Sequence, residues 1–221
     1  GLAESTLLIF MSDNGSARGT FAAGMKGRKG SLHEGGSRVP VFVRFPGKVG
    51  ASVDIDRMAR HYDLFPTLAE IAGAELPASI DLDGRSLLPL IENPAADWPV
   101  RYTYFHLGRW GKKGVPRWDK GHCSPDLAKY ENFAVRDERW RLVGKDQLYN
   151  IQKDPGEEAN VINEYPEVVA QMLEAYEAWW EEVRPLLVNE DASLDTGKPF
   201  IELYRKQKAG KGIPAWKKPR L

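Results

Sequence analysis

The stretch Thr6-Leu7-Leu8-Ile9-Phe10-Met11 is apolar without alternation and stops at Ser12-Asp13-Asn14-Gly15, a cluster of turn formers. Such a run suits a strand buried on both faces, as in a parallel sheet covered by helices. In such sheets ligands sit just beyond the carboxyl ends of the strands. Asp13 and Asn14 therefore stand where chemistry is expected. Residues 15–37 carry seven glycines and no sustained period. They read as a long irregular loop, and a loop of that length inside a compact domain is usually functional. Residues 39–45 form a second apolar strand, stopped by Pro46-Gly47.

Further along, Asp63 is expected to cap a helix, with Pro66 in the first turn and Gly73 closing it. Leu64, Leu68 and Ile71 follow the spacing of a buried face, and His61 ahead of them reads as structural. Composition shifts at Asn93-Pro94, taken as a domain boundary. Residues 102–105, 133–136, 139–143 and 148–151 read as strands, the middle two as a hairpin across Arg136-Asp137-Glu138. A long helix follows Pro166, with Val169, Met172, Tyr176, Trp179 and Val183 as its apolar stripe. An economical architecture for 94–187 is a small antiparallel sheet packed on that helix. Residues 188–221 read as a basic, extended tail.

The 221 residues are 42% hydrophobic and 28% charged, which excludes disorder and a fibre. No apolar run approaches the ~18 residues of a membrane span. The first eleven residues lack the basic start and cleavage site of a signal peptide. A single cysteine, Cys123, leaves no disulfide framework. Thirty-one basic and thirty-one acidic side chains balance, which argues against a nucleic-acid binder. The balance hides blocks: residues 1–50 are net +4, 51–100 net −6, 101–150 net +5, 151–200 net −9 and 201–221 net +6.

Asp13 and Asn14 pair an anionic with a neutral oxygen, a set that suits a hard cation such as calcium. Taken alone, Asp-Asn-Gly reads first as an ordinary turn. Lys29 closes a glycine-rich loop and offers a compact positive charge to an oxyanion. The order of motifs is more specific than either feature. Asp13-Asn14-Gly15, then Lys29-Gly30 … Glu34-Gly35-Gly36-Ser37-Arg38-Val39-Pro40, then Asp63-Leu64-Phe65-Pro66-Thr67-Leu68, resembles the C-terminal part of the sulfatase family. So do Phe105-His106-Leu107-Gly108-Arg109-Trp110, Phe133-Ala134-Val135-Arg136, Leu148-Tyr149-Asn150 and Asp154-Pro155-Gly156-Glu157.

That resemblance implies an α/β fold. Residues 1–93 would be the C-terminal part of an alkaline-phosphatase-like catalytic domain, followed by the small antiparallel domain at 94–187. It implies a Ca2+ held by four oxygen side chains, of which Asp13 and Asn14 would be two, and a sulfate group held by Lys29. It also implies a nucleophile, a formylglycine made from cysteine in a Cys-x-Pro-x-Arg motif. No such motif occurs in these residues; Cys123-Ser124-Pro125-Asp126-Leu127 has leucine where arginine is required. The chain is therefore expected to hold half a metal site and to be inactive alone. Its strands should expose apolar faces, to be covered by the remaining N-terminal part or by self-association. Relatives of this family are commonly exported, to the periplasm or beyond the cell.

Glu34 is expected to receive loop N–H groups and Arg38 to pair with a carboxylate. His33 is a candidate for a substrate hydroxyl, against packing on its own turn. The block at 101–122 interleaves Arg101, Arg109, Lys112, Lys113, Arg117 and Lys120 with Trp110, Trp118, His106 and His122. Arginine forks match sulfate oxygens and indoles stack on sugars. Arg109, Trp110 and His106 are thus candidate contacts for sulfated carbohydrate, against a solvated loop whose tryptophans plug the domain interface. The leading expectation is part of a hydrolase of sulfate esters, of sulfated carbohydrate or of an aryl alcohol. A non-catalytic module binding sulfated polysaccharide and a phosphonate or phosphodiester hydrolase are the alternatives.

Overall fold

A computed structural model describes residues 2–108, 125–187, 199–210 and 212. The chain divides into two compact units, Gly1–Arg184 and Pro185–Leu221. The boundary expected at Asn93 falls within the first.

Strand β1 (Leu8–Met11) forms where the apolar run was read, and β2 (Val41–Arg44) lies within the second. They pair antiparallel with Leu8 opposite Arg44 and Met11 opposite Val41, as a two-stranded sheet. The antiparallel pairing corrects the parallel reading of these strands, while their open faces are those expected of the chain on its own. Two strands cannot bury both of their faces, and Phe10 and Phe42 stand 64% and 63% exposed. Between them lie the glycine-rich loop and a short helix, α1 (Glu34–Ser37).

Helix α2 (Leu64–Ile71) follows a 3-10 turn at His61–Asp63. Asp63 makes no cap bond to the helix. Its carboxylate instead accepts the N–H groups of Arg60 at 2.8 Å and Arg85 at 3.1 Å, and the Arg101 guanidinium. Gly73, at φ +66°, ends the helix in the left-handed region as expected. The expected apolar face is not the buried one: Pro66 and Thr67 are buried, while Leu68 is exposed. Thr67 earns its place by hydrogen bonds, its Oγ1 donating to the Asp63 carbonyl at 2.6 Å and accepting the Leu87 N–H at 2.8 Å. Helix α3 (Leu88–Glu92) comes next.

The second sheet has β3 (Thr103–His106), β4 (Phe133–Arg136), β5 (Trp140–Val143) and β6 (Gln147–Asn150), all antiparallel in that order. The β4–β5 turn is closed by Asp137, whose Oδ1 accepts the N–H of Arg139 at 2.7 Å. Helix α4 (Pro125–Ala128) precedes β4. The long helix α5 (Pro166–Val183) starts at a proline and packs on β4. Its fully buried row is Met172, Tyr176 and Trp180, an i+4 series. The expected stripe had Trp179 there; Trp179 instead stacks on Tyr104 at 4.9 Å. Phe133 stacks on Tyr176 at 4.3 Å.

The other face of this sheet positions the site. Phe105 lies opposite Ala134, Ala134 opposite Val143, Arg136 opposite Arg141, and Arg141 opposite Tyr149. Directly paired residues share a face, so these side chains form one surface, against which Leu32 of the glycine-rich loop packs. In the second unit, α6 (Pro199–Ala209) is helical where an extended tail was expected. Its residues include no proline after the first, where proline is tolerated, and no glycine.

Candidate functional site

The end of β1 and the Lys29 loop are stitched together by backbone groups. Gly15 N–H donates to the Gly36 carbonyl at 3.0 Å, Lys29 N–H to the Ser16 carbonyl at 3.1 Å, and Gly35 N–H to the Lys26 carbonyl at 2.8 Å. Glycine is required at the crossing: a Cβ on Gly15 would lie 1.8 Å from the Gly35 carbonyl oxygen. The result brings Asp13, Asn14 and Lys29 to the lining of one open cavity of about 810 Å³. Asp13 and Lys29 are both exposed, and neither pairs with an opposite charge among the described residues. Arg38 lines the same cavity and reaches the Glu34 carboxylate at 3.7 Å, the pairing expected for it.

Asp13 and Asn14 fit a hard cation in donor type. In number they fall short of the six to eight oxygens calcium takes. Among the described residues no group of three or more histidine, cysteine, aspartate or glutamate side chains gathers to complete a metal site.

Behind the loop lies a buried charge network that the sequence reading did not find. Glu34, 1% exposed, accepts Arg136 Nε at 2.6 Å and Arg141 Nη2 at 2.7 Å. Two guanidiniums directly opposite each other on β4 and β5 would repel; the carboxylate between them cancels that. Burial pushes the Glu34 carboxyl up, but Arg141 and Arg136 outweigh it and hold the group below the usual carboxylate range. Glu34 thus receives guanidiniums, not the loop N–H groups expected. That role falls to Glu157, whose Oε2 accepts the Glu34 N–H at 2.9 Å. The overlooked signal was local: Arg136 and Arg141 each sit in a strand of otherwise apolar character, where an unpaired charge would be costly.

His33 does not line the cavity with Lys29. Its Nδ1 lies 3.0 Å from Glu157 Oε1, and its ring meets Tyr149 edge-on at 6.2 Å. His106 is likewise committed to the fold: Nε2 bonds the Ala128 carbonyl at 2.9 Å and Nδ1 accepts the Gly108 N–H at 2.8 Å. Burial lowers its pKa, which keeps it neutral and matches that tautomer. Both histidines, offered as substrate contacts from the sequence, are thus engaged within the fold. Arg101 is spent on Asp63. Arg109, Trp110 and Cys123 lie outside the described residues. Among the described residues no helix is long and apolar enough to cross a membrane.

Residues 28–181 match the family described as N-sulphoglucosamine sulphohydrolase, C-terminal. The chain is 34% identical over 173 residues to a sulfatase of Formosa agariphila, covering 75% of this chain and 30% of that protein. It resembles the crystal structure of Ps i-CgsB in complex with k-i-k-neocarrahexaose, at 29% identity and a TM-score of 0.62, over 80% of this chain and 37% of that one. It also resembles the phosphonate monoester hydrolase of Agrobacterium radiobacter, at 28% identity and a TM-score of 0.57, over 80% of this chain and 36% of that one. The chain thus spans about a third of the length of the relatives it matches. Together with the order of its motifs, the match over residues 28–181 shows that the chain belongs to the sulfatase family, whose C-terminal portion it resembles.

Proposed function

We propose that this chain is part of a sulfuric ester hydrolase acting on sulfated carbohydrate, with Lys29 holding the sulfate group. The observation that supports it most is the shared cavity of Asp13, Asn14 and Lys29 in a chain of this family. As a sulfate ester cleaves, negative charge grows on its bridging oxygen. A fixed ammonium stabilises that charge without reorganising. Asp13 and Asn14 would supply two of the oxygens for a Ca2+, which adds a second fixed positive charge when bound. The nucleophile would be a formylglycine from outside these 221 residues. The carbohydrate assignment draws on Ps i-CgsB, captured with an oligosaccharide. Export from the cytoplasm belongs to the same proposal and rests on family resemblance.

The similarity to a phosphonate monoester hydrolase favours a second chemistry, phosphonate ester cleavage in the same cavity. One assay separates the two. The protein expressed from its whole natural reading frame is offered a sulfated polysaccharide, an aryl sulfate and an aryl phosphonate monoester. Release of inorganic sulfate, with the phosphonate slower, is the expected outcome. Phosphonate cleavage without sulfate release would assign the second chemistry, and no release from any of the three would overturn both.

A further inference from the structure

Glu157 holds both ends of the segment that carries Lys29. Its Oε1 meets His33 Nδ1 at 3.0 Å and its Oε2 takes the Glu34 N–H at 2.9 Å. Its backbone carbonyl accepts Lys26 Nζ at 3.5 Å, and the same ammonium donates to the Tyr149 hydroxyl at 3.0 Å. Lys26 lies before Lys29, and His33 and Glu34 after it. The residue is 1% exposed and sits at φ +55°, a left-handed conformation that side chains other than asparagine and aspartate seldom adopt. Outliers of this kind persist where the surroundings over-determine them, and they cluster at functional sites. A glycine would relax the backbone here. It would also leave the Glu34 N–H and His33 Nδ1 without their acceptor.

We infer that Glu157 is a positioning residue for Lys29: from the turn after β6 it fixes the loop that brings Lys29 to the cavity lining. This rests on the reading that Lys29 grips the sulfate group. A rigid anchor on the small sheet fits the general need to hold catalytic charges within fractions of an ångström.

Two measurements test it, one without turnover. In the 221-residue chain, Glu157→Ala is expected to speed hydrogen exchange at the Lys29 and Gly35 amides by about tenfold or more. The amides of Leu142 and Leu148 in the sheet should stay as they were. Unchanged Lys29 and Gly35 exchange would overturn the inference. In the active protein, Glu157→Ala should lower kcat/KM for a sulfate ester by about tenfold or more. In a Lys29→Ala background the same change should cost less than about twofold. Equal losses in both backgrounds would show that Glu157 does not act through Lys29. Glu157→Gln keeps one acceptor oxygen and the side chain's shape; it should give intermediate values in both arms and serves if the alanine variant does not fold. If the wild-type protein releases no sulfate, the functional reading fails, and the exchange arm alone decides whether Glu157 holds the loop.

Discussion

Arg141 reaches Glu34 across 107 residues of sequence, Nη2 to Oε1 at 2.7 Å and Nε to the same oxygen at 2.9 Å. Both residues are 1% exposed. Arg136 shares the same carboxylate, at 2.6 Å, so it is Glu34 whose removal leaves buried charge uncompensated. Glu34→Ala is therefore expected to cost about 3–5 kcal/mol of stability, read from the urea midpoint. Arg141→Met, which leaves Glu34 paired with Arg136, should cost clearly less. Equal losses in the two variants would mean that packing, not charge, is what the cluster supplies.

The same carboxylate gives the fold a pH dependence. Its folded pKa lies below the ordinary 4.5 because Arg141 and Arg136 outweigh burial. A depressed carboxylate stabilises the fold above its unfolded pKa, and that contribution is lost as pH falls through the folded value. Unfolding free energy of the natural chain should thus drop more steeply below about pH 4.5 than that of Glu34→Gln. Parallel curves for the two would remove Glu34 as the source.

Gly15 is the narrowest point of the site. A Cβ there meets the Gly35 carbonyl oxygen at 1.8 Å, so Gly15→Ala must push the Asp13–Ser16 turn away from α1. A cost of about 1–3 kcal/mol is expected, together with chemical-shift changes at Lys29, whose N–H bonds Ser16. Gly24→Ala meets nothing within 4 Å and serves as the control without a clash; its φ of +77° adds a left-handed strain that Gly15 does not carry. Shifts at Lys29 as small in the first variant as in the second would contradict the interlocked backbone.

The two-stranded sheet leaves Leu8, Phe10, Val41 and Phe42 exposed. The 221-residue chain by itself should bind an apolar dye and self-associate on a sizing column. Phe10→Ser with Phe42→Ser should reduce both without lowering the unfolding midpoint. A monomer that binds no dye would contradict the exposure.

Legibility in the sequence followed range. Local signals read well: the hairpin around Asp137, the Pro166 start of α5 and the Gly73 stop each rest on a few adjacent residues. The pairing of β1 with β2 did not, because an apolar run says that a strand is buried and not which way its neighbour runs. The α5 stripe slipped by one residue, from Trp179 to Trp180, since adjacent tryptophans satisfy the same period. Asp13, Asn14 and Lys29 were singled out by local turn formers and glycines, and the fold brings them to the lining of one cavity. The Glu34–Arg136–Arg141 and Glu157–His33 contacts span more than 100 residues. No spacing rule connects them; only the register that sets Arg136 opposite Arg141 does.

The central claim is that Lys29 stabilises charge in the cavity it shares with Asp13 and Asn14. The most direct measurement is sulfate release by the protein from its whole reading frame, compared with Lys29→Ala. A fall of about 10²-fold or more in kcat/KM, with urea stability unchanged, is the predicted result. Equal kcat/KM in the two proteins would contradict it.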